Sequence, residues 1–167
     1  FVKYGGEYAD ICAWEGLSQE ARAVRAQVDE MTAAILGPGW DGAWFRRAYD
    51  ANGRPVGSAE AHHRLEQGTL PLLDVLTHGG QGLSDGRALQ ALESVRRHLD
   101  TEYGILLLQP AYTRYHLELG EISSYPPGYK ENGSVFCHNN PWIMIAQTVL
   151  GHGDAAFELY KKIAPAY

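Results

Sequence analysis

The chain has 167 residues, 45% hydrophobic and 11% aromatic, enough apolar surface for one domain with its own core rather than a disordered segment. Acidic residues number 20 against 14 basic ones, for a formal charge of −6; such a chain lacks the basic stripe that binding to nucleic acid requires. No apolar run approaches the ~20 residues of a membrane span, no secretory leader is visible at Phe1-Val2-Lys3-Tyr4, and two cysteines outside any CxxC pattern predict reduced thiols in a cytoplasmic protein.

The spacing of apolar residues predicts a mainly α fold. Phe1, Tyr4, Tyr8, Ile11 and Cys12 form a helical stripe over residues 1–13, which starts without a cap and ends at Trp14-Glu15-Gly16. Ser18 is the expected N-cap of a second helix. Val24, Val28, Met31 and Ile35 recur in it as a core-facing stripe, and Gly37-Pro38-Gly39 stops it. Two helices joined this closely form a hairpin. Asp50-Ala51-Asn52-Gly53 then reads as a turn, with residues 54–57 as a short extended return. Residues 59–83 have no clear period. Within them His62-His63 lacks metal-ligand spacing, and Gly79-Gly80-Gln81-Gly82 lacks the strand and helix of a nucleotide-binding loop. Ser84-Asp85 is the expected cap of a third helix, marked by Leu89, Leu92, Val95 and Leu99 and ending near Tyr103-Gly104. An apolar run at 105–108 and a long loop over 121–135 follow. Asn140-Pro141 reads as an N-cap with proline at the first helical position. Trp142, Ile145 and Val149 are the expected inner face of that helix. Asp154 is the expected cap of a last helix, packed through Phe157, Tyr160 and Ile163 and stopped by Pro165. Helical hairpins with long loops on one side suit an α/α toroid or bundle, with any site in the loops.

The chemistry concentrates in residues 120–142, where polar, charged and aromatic side chains alternate without periodicity. Aromatic faces there can stack on a sugar ring, Glu131 can accept hydrogen bonds from vicinal hydroxyls, and Lys130 can donate to them. His138 lies just before a helix start, whose free N–H groups and positive dipole end favour an anion such as phosphate. The plainer readings are a solvated Lys130-Glu131 pair and a His138 that satisfies loop carbonyls. Asp41, in Trp40-Asp41-Gly42, is either a carboxylate beside an aromatic or simple turn chemistry. Glu118 and Glu121 are candidate paired acids in an irregular segment.

These motifs carry a resemblance. Tyr125-Pro126-Pro127-Gly128-Tyr129-Lys130-Glu131-Asn132-Gly133 followed by Phe136-Cys137-His138-Asn139-Asn140-Pro141-Trp142 resembles the cellobiose phosphorylase type of inverting β-disaccharide phosphorylase, glycoside hydrolase family 94. Residues 40–50 resemble that family's WDGxWFxRAYD segment, and residues 99–105 and 108–112 match as well. The resemblance implies that residues 1–167 are part of a catalytic (α/α)6-barrel domain. It implies phosphorolysis of a β-linked disaccharide such as cellobiose to α-glucose 1-phosphate and glucose. His138 would bind the attacking phosphate, and Lys130 and Glu131 would contact the sugar. Inorganic phosphate is then a co-substrate, no metal or organic cofactor is implied, and family members are homodimers. The family's general acid, an aspartate in a Trp-Asn-Asp motif, would fall before Phe1, and its Thr-Gly phosphate-binding pair beyond Tyr167. No catalytic residue is therefore expected in this chain, and the isolated chain is expected to be inactive. Residues 59–84 depart from the family pattern, as a shifted reading frame or divergence would produce. The other readings are a non-catalytic sugar-binding helical module and an assembly piece.

Overall fold

The computed structural model describes residues 1–58 and 86–166. The expectations for His62-His63, residues 79–82, the Ser84-Asp85 cap and the divergent stretch 59–84 fall outside these residues. The fold is mainly α. Helix α1 (Val2–Trp14) turns at Gly16 into α2 (Ser18–Leu36), and the two pack against each other as the expected hairpin. Leu17, not Ser18, occupies the N-cap position, and no side chain caps the helix. The buried residues of the pair are Val2, Ala9, Cys12 and Ala21, while Phe1, Tyr4, Tyr8 and Ile11 lie exposed. Of the apolar stripe of α1, Cys12 is thus turned inward and the aromatic residues are turned outward. Among the described residues α1 packs against α2, and the small Ala9 and Ala21 allow close approach where tyrosines would hold the axes apart. On α2, Val24, Val28 and Ile35 are half-buried and Met31 is exposed. An ion pair between Arg25 and Asp10, at 2.6 Å, ties the two helices on their exposed side.

The predicted turn forms as expected. Strands β1 (Ala48–Tyr49) and β2 (Pro55–Val56) pair antiparallel, with Ala48 opposite Val56. Asp50 Oδ1 accepts the backbone N–H groups of Asn52 (2.8 Å) and Arg54 (2.9 Å). These bonds, that from Arg54 first, lower the Asp50 carboxyl below the ordinary carboxylate range.

Helix α3 (Arg87–His98) starts at Gly86, which has φ +78°, and ends five residues before the expected Tyr103. Leu99 drops into the core with no exposure, and the chain turns at once into a tight antiparallel pair, β3 (Asp100–Thr101) and β4 (Gly104–Ile105). Of the apolar residues that mark this helix, Leu89 is exposed. A 3₁₀ turn over Glu121–Ser124 interrupts the long loop. Helices α4 (Asn140–Val149) and α5 (Gly153–Ile163) form a second hairpin. The main core joins Ala88, Leu92, Val95 and Leu99 to Ile105 and to Ile143, Ala146 and Leu159.

In α4 and α5 the expected apolar faces lie largely outward. Trp142, Ile145 and Val149 are exposed, and Ile143 and Ala146 face the core instead. Phe157 and Tyr160 are exposed, with their rings stacked at 6.2 Å, while Ala156 and Leu159 point inward and Ile163 is half-buried. Both helices carry two apolar stripes, and spacing alone does not choose between them. The N-cap positions also shift: Asn139 precedes α4 and His152 precedes α5, with Asn140 and Asp154 inside their first turns. Pro141 does sit in the first turn of α4. Among the described residues no helix is long and apolar enough to cross a membrane.

Candidate functional site

The segment after β4 and the segment before α4 lie side by side. Leu106 bridges Val135, and the Leu107 N–H donates to the Ser134 carbonyl at 3.0 Å. From this stem two short turns project. In the first, the Asn132 N–H returns to the Tyr129 carbonyl (3.0 Å), placing Lys130 and Glu131 at the tip. Lys130 has φ +48°, a left-handed conformation that costs a residue with a Cβ about 1 kcal/mol. In the second, the Asn139 N–H returns to the Phe136 carbonyl (3.1 Å), placing Cys137 and His138 at the tip.

Two asparagines without any exposed surface fasten these turns. Asn132 Oδ1 accepts the Tyr112 N–H (2.7 Å), while its Nδ2 donates to the Tyr112 carbonyl (2.9 Å) and the Tyr125 carbonyl (2.6 Å). Asn140 repeats the pattern. Its Oδ1 accepts the Ile105 N–H (2.8 Å), and its Nδ2 donates to the Ile105 carbonyl (3.0 Å) and the Phe136 carbonyl (3.1 Å). Two glycines leave room for this close approach. A Cβ at Gly104 would lie 2.9 Å from Asn140 Oδ1, and one at Gly133 would lie 2.8 Å from Ala111 Cβ. Sequence reasoning took Asn140 for a helix cap and gave Asn132 no role. In a stretch this rich in Pro and Gly, an asparagine reads as turn chemistry, and its partners lie 20 and 35 residues away in sequence.

The tips are open. Lys130 is exposed, with Nζ 4.7 Å from the Tyr125 ring centre and 5.8 Å from that of Tyr129. His138 is exposed between two tilted rings, Phe136 at 6.4 Å and Trp142 at 6.5 Å. Glu131 is half-buried. Among the described residues, the buried side-chain polar atoms without a hydrogen-bond partner are Glu131 Oε2 and Asn139 Nδ2, both in these two turns. The Tyr125 hydroxyl donates to Glu121 (3.0 Å), and that bond is the main reason its phenol titrates above the ordinary tyrosine range.

The other candidates have structural partners. Asp41 is nearly inaccessible and accepts hydrogen bonds from Arg46 Nε and Ser58 Oγ, both at 2.7 Å. Glu118 lies 3.5 Å from His116 Nδ1, whereas Glu121 holds Tyr125; the two acids serve different neighbours. Among the described residues no three His, Cys, Asp or Glu side chains gather as a metal site.

The family model described as "Glycosyl hydrolase 94 superfamily, catalytic domain" matches residues 1–167. The chain is 37% identical over 152 residues to a solabiose phosphorylase of Paenibacillus borealis, covering 90% of this chain and 19% of that protein. It is 32% identical over 164 residues to an N,N'-diacetylchitobiose phosphorylase of Vibrio proteolyticus, covering 95% of this chain and 20% of that protein. A cellobionic acid phosphorylase of Neurospora crassa is 27% identical over 159 residues, again with 20% of its length covered. The chain thus spans about a fifth of the length of the curated relatives it matches. It belongs to the glycosyl hydrolase 94 superfamily, within the catalytic domain.

Proposed function

We propose that this chain contributes the sugar-contacting and phosphate-contacting turns of an inverting phosphorylase of β-linked disaccharides. The observation that carries the reading is the buried, unpartnered Glu131 Oε2 beside an exposed lysine and two aromatic rings. A carboxylate oxygen withdrawn from water without a donor is costly, and sugar hydroxyls are donors that would satisfy it. Lys130 and Glu131 then hold the sugar. His138, exposed ahead of α4, donates to phosphate where the helix start already favours an anion.

In the reaction, a phosphate oxygen attacks the anomeric carbon from the face opposite the glycosidic bond. That bond breaks, and the leaving oxygen takes a proton from a general acid outside this chain. The products are the free sugar and an α-sugar 1-phosphate. Phosphate replaces the activated water of an inverting hydrolase, so no base is required to deprotonate it. The co-substrate is inorganic phosphate, no other cofactor is invoked, and the proposed setting is a cytoplasmic homodimer. The activity is that of a protein as long as the relatives; the 167-residue chain alone is expected to release no sugar 1-phosphate.

The test is an assay of full-length protein on cellobiose, N,N'-diacetylchitobiose and solabiose. Sugar 1-phosphate should form from at least one of them, only with phosphate present. Glu131→Ala and His138→Ala should each lower kcat/KM by about a hundredfold or more. Phosphate-independent release of two free sugars would overturn the reading.

A further inference from the structure

We propose that Asn132 and Asn140 are positioning residues that orient the sugar turn and the phosphate turn separately. The proposal rests on the assignment of Lys130 and Glu131 to the sugar and of His138 to phosphate.

The argument begins with what an asparagine amide can offer, one acceptor oxygen and two donor protons. Both residues spend the amide in the same pattern. Each pairs with the N–H and the C=O of one residue on the neighbouring segment, Tyr112 for Asn132 and Ile105 for Asn140. A side chain that engages both peptide groups of one residue copies a rung of a β-ladder, fixing distance and orientation together. The second amide proton of each goes to the carbonyl at the neck of its own loop, Tyr125 in one case and Phe136 in the other. With both protons committed, neither amide has a donor left for a ligand. Their influence must pass through the turns.

The two fastenings act on different tips. Asn132 is the last residue of the turn that carries Lys130 and Glu131, and its own N–H closes that turn on Tyr129. Asn140 directly follows the turn that carries His138 and binds the carbonyl of that turn's first residue. Their anchors, Ile105 and Tyr112, lie seven residues apart on a segment that also bridges Val135 through Leu106. Loosening one turn therefore leaves the stem of the other in place.

The experiment uses full-length protein with Asn132→Ala, Asn132→Asp, Asn140→Ala and Asn140→Asp. The Asn132 variants should raise the KM for the disaccharide about tenfold or more, with the phosphate KM within about twofold. The Asn140 variants should do the converse. The aspartate variants supply a readout that loss of packing would not. A protonated carboxyl restores one acceptor and one donor, and burial raises its pKa. The affected KM should therefore recover as the pH is lowered in each aspartate variant and not in the matching alanine variant. Where an alanine variant does not fold, the aspartate variant carries the test. Equal rises in both KM values, no rise in either, an aspartate pH profile like that of wild type, or failure of both variants to fold would overturn the proposal. Lys130→Ala and His138→Ala separate the two levels. If they leave the disaccharide and phosphate KM unmoved, the underlying assignment fails. If they move them while the asparagine variants do not, only the positioning role fails.

Discussion

Replacing Gly133 by alanine is the sharpest probe of how tightly the two site segments press together. Gly133 has φ +82°, and a Cβ built there would lie 2.8 Å from Ala111 Cβ and 3.5 Å from the Leu108 carbonyl oxygen. The left-handed conformation alone costs an alanine about 1 kcal/mol. The overlap adds about 2 kcal/mol, because the Ala111 methyl has no rotamer by which to withdraw and Leu108 beside it is fully buried. The total loss should be about 3 kcal/mol. Gly128→Ala is the matched control, since Gly128 has φ +80° and nothing within 4 Å of its would-be Cβ. It should lose only about 1 kcal/mol. The difference of about 2 kcal/mol, roughly 30-fold in the folding equilibrium, isolates the contact. Urea unfolding followed by tryptophan fluorescence measures both variants, with unchanged m-values as the condition for comparing them. Equal losses in the two variants would refute the claim that residue 133 is pressed against residue 111.

Three further outcomes follow from the described contacts. Asp41→Ala should cost about 3 kcal/mol in thermal unfolding, because it strips Arg46 and Ser58 of a nearly inaccessible partner; a loss below about 1 kcal/mol would contradict that role. Asp50 has a lowered carboxyl pKa in the folded state, so its contribution is present above the ordinary carboxylate range, near ~3.9, and disappears as the pH falls through the lower folded value. Asp50→Ala should accordingly weaken the acid dependence of stability, and an unaltered acid limb would count against the two backbone bonds. Glu121→Ala removes the hydrogen bond that chiefly raises the Tyr125 phenol. In an alkaline ultraviolet titration one tyrosine should then ionise at lower pH than before, and superimposable curves would exclude the bond.

The helices were legible in the sequence because period and punctuation act locally. Gly16, Gly37-Pro38-Gly39 and Gly151 break the chain where the apolar periodicity stops, and the structure turns there. Which face turns inward was not legible. In α4 the stripe of Trp142, Ile145 and Val149 is more apolar by residue type, yet Ile143 and Ala146 are inside. Small residues decide helix–helix approach, and periodicity does not weigh size. The concentration of polar and aromatic residues over 120–142 was legible as composition, and in the structure Lys130, Glu131 and His138 stand at turn tips. The framework of these turns was not, since Asn132 and Asn140 act through partners far along the chain, which no local pattern announces. Asp41 had two readings in the sequence, a carboxylate beside an aromatic or turn chemistry, and the structure gives it a structural role. An aspartate beside a tryptophan suggests chemistry, whereas here it is the hub of a small polar knot with Arg46 and Ser58.

The stem between the two turns also sets a length. From Asn132, fixed on Tyr112, to Val135, bridged to Leu106, the chain has only Gly133 and Ser134 to spend. That short stretch acts as a ruler between the residues proposed to meet the sugar and those proposed to meet the phosphate. Substitutions at the tips would change what is gripped. An added residue in the ruler would leave both grips intact and put them out of step with each other, so the spacing of the two turns is a property of backbone count rather than of any side chain.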